Sequence, residues 1–393
     1  IIHFGQRLLK YLRRESAAAR TAAMALLVVA CLVAGDVSAQ AQHEWSDDSL
    51  RNLATLPIQD GGRIKPLDTY ANVTLLRLNG KRTTSTPDGD RIDAIEWLAD
   101  CLFFPDAAKQ YKTFQINNAD VAVALGIPFE RKRDRYAYAD LEPAIDRLFE
   151  LAREYSQIAQ QQRNATQGQI IDLAHNIIDF EQLCAFMDFA RTPVAVPQDT
   201  PLVALFPEQP RPALSAVLAK APEIREIILR AREDEDASMD AIRKFLEQLQ
   251  GNVESATLAL LSPPEGENEW LTPQSLTLAA FAAQDDSLQQ GIEQLAALEA
   301  IVVGDADEAS VATFHSLVTS HAKELGKYDK IGLEVTFQRS KLFYYSLVFF
   351  VLGFIIVTVS WLAPKNRLLY GTSLLSMLVP TLLLMVGITM RSI

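Results

Sequence analysis

Arg63, Lys65 and Asp68 are the residues whose types and spacing point most directly to chemistry. They lie in the segment Leu56-Pro-Ile-Gln-Asp-Gly-Gly-Arg-Ile-Lys-Pro-Leu-Asp-Thr-Tyr-Ala71. On an extended chain, side chains two positions apart point to the same side, so Arg63 and Lys65 form a basic pair. Such a pair can grip a carboxylate, a propionate or a partner's acid. It can also neutralise acids of its own chain. That local role is favoured, because long cations mostly serve solvated surface or nearby ion pairs. Other reactive types are scattered. His175 stands alone beside Asn176 in a helical pattern, the setting of a hydrogen-bonded structural histidine. His315 and His321 are six apart on one predicted helix and so face different ways, whereas paired metal ligands on a helix favour a spacing of four. Cys101 and Cys184 fit either a disulfide in an oxidising compartment or two buried free thiols. Cys31 falls in an apolar run, and no zinc-type spacing occurs. No G-x-S-x-G, H-E-x-x-H, P-loop, G-x-G-x-x-G or C-x-x-C-H motif is present, so the chain has no recognisable catalytic constellation.

The elements that must hold these residues read as mainly α. Asp60-Gly61-Gly62 is turn chemistry, and Pro57 and Pro66 keep the flanking chain extended. Helical spacing begins near Thr69. Asp93–Phe104 is an amphipathic helix with Trp97 as a core anchor, ended by Pro105. Tyr111–Ile116 fits a short strand, and Asn118–Leu125 a helix closed by Gly126. Glu130–Arg135 reads as a solvated loop, Asp140–Gln162 as one long helix, and Gln169–Ala190 as another. Thr192–Pro212 carries six prolines and forms an irregular connector. Helices then follow at Pro222–Arg232 and Ser238–Gln250. Gly251 is expected to break the chain, with a short helix before Pro263-Pro264. Thr272 caps a helix over Gln274–Ala283, and Asp286–Ile301 and Ala306–Gly326 complete the set. Glu334–Arg339 is a polar approach to the apolar end of the chain.

That end holds two uncharged apolar runs, Leu342–Ala363 and Leu368–Met390, each near the roughly 20 residues that a helix needs to cross a bilayer. Pro364-Lys365-Asn366-Arg367 joins them, and its two cations place this turn in the cytoplasm by the positive-inside rule. Residues 1–20 are basic, Ala22–Gly35 is apolar, and Val37-Ser38-Ala39 has the small residues of a cleavage site. The pattern fits a signal peptide or an uncleaved signal anchor, and both export the downstream body. The chain carries a net charge of −12 in total, with +3 on residues 1–39, +4 on 341–393 and −19 on the 40–340 body. So acidic a body argues against nucleic-acid binding, since that needs a basic footprint. The expected organisation is an N-terminal signal or anchor (1–39), two helical halves (40–192 and 213–340) around the 193–212 connector, and a transmembrane hairpin (341–393).

Leu56–Ala71 resembles a segment of the large, fused or extended forms of the CcsA/ResC-type haem-handling family, the System II cytochrome c assembly proteins. Asp93-Ala-Ile-Glu-Trp-Leu98, Phe114-Gln-Ile-Asn-Asn-Ala-Asp-Val121, Tyr136-Ala-Tyr-Ala-Asp-Leu141 and Glu334-Val-Thr-Phe-Gln-Arg339 are similar too. The resemblance implies a protein of the bacterial inner membrane with its main domain on the periplasmic side. It implies haem as the cofactor of the full assembly and apocytochrome c as partner; Arg63, Lys65 and Asp68, singled out by type and spacing, are the candidate partner-binding residues. It also implies a Trp-rich haem-binding membrane part. That segment is absent here, because Trp45, Trp97, Trp270 and Trp361 are scattered. No haem ligand can therefore be carried over, and the Trp-rich part is expected beyond Ile393 or on another subunit. A membrane-anchored adaptor of a respiratory or envelope complex, with no haem chemistry, is the other expectation.

Overall fold

The Leu56–Ala71 segment folds as its glycines and prolines dictate. Strands β1 (Pro57–Asp60) and β2 (Arg63–Pro66) pair antiparallel, with Pro57 opposite Pro66 and Asp60 opposite Arg63. The two loop residues, Gly61 and Gly62, sit at φ 61° and 75°. Both are in the left-handed region that a two-residue hairpin loop requires. Pro66 then starts a helix, whose first turn needs no N–H from it. The computed structural model describes residues 43–129, 134–233, 238–282, 286–362 and 367–392. The predicted signal or anchor, Cys31 and the Lys365 turn lie outside the described residues. So does the side chain of Arg367.

Around this hairpin the fold is mainly α. The first half holds α1 (Asp47–Ala54), α2 (Leu67–Asn79), α3 (Ala94–Phe103), α4 (Ala119–Leu125), α5 (Ile145–Ser156) and α6 (Ala165–Ala185). Two more small antiparallel pairs sit among them, β3 (Thr83–Ser85) with β4 (Arg91–Asp93), and β5 (Phe114–Ile116) with β6 (Asp134–Tyr136). The second half holds α7 (Leu214–Ala219), α8 (Ala221–Glu233), α9 (Met239–Val253), α10 (Pro273–Ala282), α11 (Gln289–Val303) and α12 (Glu308–Glu324). One hydrophobic core runs through both halves and through the connector, which buries Val194, Val196 and Leu202. In the first half, Trp97 on α3 is fully buried and donates to Thr113 Oγ1 at 3.2 Å. Phe114 on β5 meets Phe180 on α6 edge-to-face, with ring centroids 5.3 Å apart. α6 starts with a reciprocal cap: Asn164 accepts from the Gln167 N–H, and Gln167 accepts from the Asn164 N–H.

Several boundaries differ from the sequence reading. Asp134 and Arg135, read as loop, belong instead to β6, which pairs with β5. Pro143 falls in a tight turn over Glu142–Ala144, so the expected long helix is cut and α5 starts at Ile145. α9 continues through Gly251 to Val253, because a single glycine weakens a helix by only about 1 kcal/mol. The helix expected before Pro263 is extended chain: Ala259 bridges Gln59 of β1, and Leu261 bridges Leu271. His175 is exposed rather than held in a structural contact.

Cys101 on α3 and Cys184 on α6 are both buried free thiols. Burial, and then the neighbouring Cys184, push the Cys101 thiol well up from its ordinary range. Thiolate is the reactive form. Because both thiols are buried, both are expected to resist alkylation in the folded protein and to label fully after denaturation without reductant, read by peptide mass. A pair that stays unlabelled in denaturant until reduced would show a disulfide instead.

The chain ends in α13 (Ile331–Ser340), α14 (Leu342–Leu362) and α15 (Arg367–Ser392). The last two are long and apolar enough to cross a membrane, and little of either is buried within the protein. They pack on each other along their length, with Ser346 Oγ donating to the Pro380 carbonyl at 2.8 Å.

Candidate functional site

β1 and β2 are short, and most of their anchoring comes from outside. The Gln59 N–H donates to Ala259 O at 3.1 Å, and Gln59 Oε1 accepts from the Trp270 N–H at 2.8 Å. This ties the hairpin to the second half of the body. Its other side meets α13, which leads into the apolar helices. Arg63 forms an ion pair with Glu334 of α13. Thr69 Oγ1, in the first turn of α2, donates to Glu334 Oε1 at 2.9 Å. Gln338, one turn further along α13, donates to Thr69 Oγ1 at 2.9 Å. The hairpin, the start of α2 and the helix before the apolar pair thus form one polar junction.

The three predicted site residues do not converge on one surface. Arg63 leans to Glu334, with its side chain still 68 % exposed. Lys65 pairs with Asp60 across the hairpin and is only 17 % exposed. Asp68 is buried, accepts from Asn72 Nδ2 at 3.1 Å, and has its pKa raised chiefly by that burial. Arg339 and Arg82 pull the same carboxyl back down. Both cations of the predicted pair therefore meet acids of their own chain, and Arg63 is the one that also presents charge to solvent. Sequence reasoning does not single out Glu334, the acid that organises the junction. Its signals are its place in the polar stretch before the first apolar run and in the Glu334–Arg339 resemblance.

Two open clefts flank the junction, and Gln338 lines both. One, of about 790 Å³, lies between Arg63, Asn268, Lys330 and Arg391. The other, of about 930 Å³, lies between α1, β4 and the end of α13. Neither is lined by a histidine. His315 Nε2 is engaged with Thr55 Oγ1 at 3.0 Å, and His321 Nε2 with Pro263 O at 3.2 Å. Among the described residues, no cluster of His, Cys, Asp or Glu is arranged to hold a metal ion. The chain matches no protein-family model, and no curated protein is similar to it.

The Arg63–Glu334 pair is half solvent-screened, so its coupling is expected to be small. A double-mutant cycle with Arg63→Ala and Glu334→Gln should give about 0.2–1 kcal/mol in denaturant unfolding of the detergent-solubilised chain. A coupling of zero would leave Thr69 and Gln338 as the contacts that hold α13 to the hairpin.

Proposed function

We propose that this chain is the extracytoplasmic and first membrane module of a cytochrome c assembly complex in a bacterial inner membrane, with its acidic body on the periplasmic side and α14–α15 as a transmembrane hairpin. One observation carries the reading. The two stretches with family resemblance at opposite ends of the body, Leu56–Ala71 and Glu334–Arg339, meet in the Arg63–Glu334, Thr69–Glu334 and Thr69–Gln338 contacts. The intermediate stretches pack in the same half: Asp93–Leu98 opens α3, and Phe114–Val121 and Tyr136–Leu141 contribute β5 and the end of β6. The resemblance thus follows a spatial unit as well as a run of letters.

The two clefts at the junction do not fit a haem site. Both clefts at the junction lack histidine, and His315 and His321 are committed to separate contacts. In this reading haem is held by a Trp-rich membrane part outside this chain. The present body docks the apocytochrome or braces that part, with Arg63 the exposed cation of the docking surface. Removing the protein from its native host should abolish covalent haem staining of c-type cytochromes while b-type haem persists. Undiminished c-type haem would favour an adaptor role without haem chemistry. A reporter enzyme fused near Gln250 should be active only when exported; activity confined to the cytosol would overturn both the topology and the assembly role.

A further inference from the structure

The body is strongly acidic, yet six cations line the larger cleft at its junction with the apolar helices. Arg51 comes from α1, Lys81 and Arg82 from the loop after α2, Arg91 from β4, and Arg339 and Lys341 from the end of α13. All six are exposed; Arg51 pairs with Asp48 and Arg91 donates to Thr83 Oγ1 at 3.1 Å, while Lys81, Arg82, Arg91, Arg339 and Lys341 form no ion pair among the described residues. Elsewhere on the body many cations have found acids, as Lys65 has Asp60 and Arg77 has Asp179. The position matters as much as the charge. Lys341 directly precedes Leu342, the first residue of α14, and takes up a left-handed backbone (φ 47°) that turns the chain from α13 into that helix. Arg339 lies two residues before Lys341. The cleft therefore opens where a lipid headgroup would lie if α14 enters a bilayer.

We infer that this cleft is a binding site for the phosphate headgroup of an anionic phospholipid, with Arg82, Arg91 and Arg339 as its guanidinium donors and Lys341 fixing it at the membrane surface. Guanidinium groups match phosphate oxygens in pairs of hydrogen bonds, and ammonium groups add point charge. The volume, about 930 Å³, admits a glycerophosphate headgroup. Acids also line the cleft, at Asp47, Asp68, Asp93 and Glu96. Burial raises the Asp68 carboxyl, and burial with the nearby Asp100 and Asp93 lifts Glu96 to about 7, so the six cations outnumber the ionised acids. A basic cleft at the membrane end of an acidic body gives that body an attractive contact with a surface whose charge would otherwise repel it. This proposal rests on the membrane-hairpin reading alone and stands whether or not the protein serves cytochrome assembly.

The test uses the full chain in a neutral detergent, titrated with a fluorescent short-chain phosphatidylglycerol, the matching phosphatidylcholine, inorganic phosphate and a polyglutamate peptide. Saturable binding of phosphatidylglycerol, well above phosphatidylcholine, is expected. Arg82→Gln and Arg339→Gln should each weaken it about fivefold, the effect of one cation at a charged surface. Arg230→Gln, at an exposed helix cation paired with Glu226, should leave it unchanged. All three positions are exposed, so unchanged circular dichroism melts are expected for the variants. Equal binding of the two lipids, or full binding by both cleft variants, would overturn the proposal. So would tighter binding of free phosphate or polyglutamate than of phosphatidylglycerol, which would assign the cleft to another anion.

Discussion

Asp100→Ala is expected to destabilise the folded body by about 3–5 kcal/mol, because it strands two buried donors at once. Asp100 is 1 % exposed and accepts from Trp45 Nε1 at 2.8 Å and from Tyr111 Oη at 2.7 Å. Tyr111 is 1 % exposed, and Trp45 is wedged edge-on between Phe103 and Phe104, with centroids 5.8 and 5.7 Å away. Through Trp45 this contact also fixes the lead into α1, which packs on α2 and α3. Denaturant unfolding of the solubilised chain, followed by tryptophan fluorescence, gives the number directly. An unchanged midpoint would mean that the Trp45–Asp100–Tyr111 contacts are dispensable. Asp100→Asn keeps the volume and an acceptor, and should cost about 1 kcal/mol.

The same residue sets a pH dependence with a definite sign. Burial lifts the Asp100 carboxyl from its ordinary 3.8 to about 6, against the lowering pull of the Trp45 and Tyr111 hydrogen bonds. Between those values the folded protein holds a proton that the unfolded chain has released. Stability from this group is therefore greatest below pH 4, falls by about 3 kcal/mol as pH rises to 6, and is flat above. Glu96, raised to about 7 by burial and by Asp100, extends the fall toward neutrality. Asp100→Asn should flatten the profile between pH 4 and 6 relative to the unaltered protein. A variant profile parallel to the original would show that Asp100 is ionised throughout.

What is legible in the sequence is local. Two glycines after Asp60 leave a hairpin little choice, Asn118 and Gly126 bracket α4, and Thr272 with Pro273 opens α10 as expected. The two apolar runs declare themselves by length and lack of charge. Misreadings come where a distant partner decides. Leu258, Leu260 and Leu261 have enough apolar content for a helix, but Gln59 and Leu271 supply bridging partners that hold the segment extended. Neither partner is visible from the segment itself. The junction is half legible for the same reason. Arg63 stands out as a cation suited to an acid of its own body, but nothing in the letters joins it to Glu334, which lies 271 residues away. The basic cleft escapes notice because its six cations come from four separate stretches of a chain whose average charge is negative.

Gly353→Val is expected to separate α14 from α15, and the reason lies in the opposite helix. Pro380 has no N–H, so the Ser376 carbonyl one turn earlier loses its helical partner. That oxygen points at Gly353, where a Cβ would stand 2.9 Å from it and 3.4 Å from the Ser376 carbonyl carbon. The obstacle is backbone, so no rotamer change relieves it and the helices must move apart. Movement would also break the bond from Ser346 Oγ, buried at 1 %, to the Pro380 carbonyl. Apolar helices in lipid associate through close packing and such hydrogen bonds, without a hydrophobic force between them. A forced gap at the contact is therefore expected to cost about 1–3 kcal/mol. Gly371→Val adds the same bulk to α15 where nothing lies within 4 Å of the new Cβ. In SDS titrations followed by circular dichroism, Gly353→Val should lower the unfolding midpoint while Gly371→Val leaves it in place. Equal midpoints for the two variants would mean that α14 and α15 do not depend on this close approach.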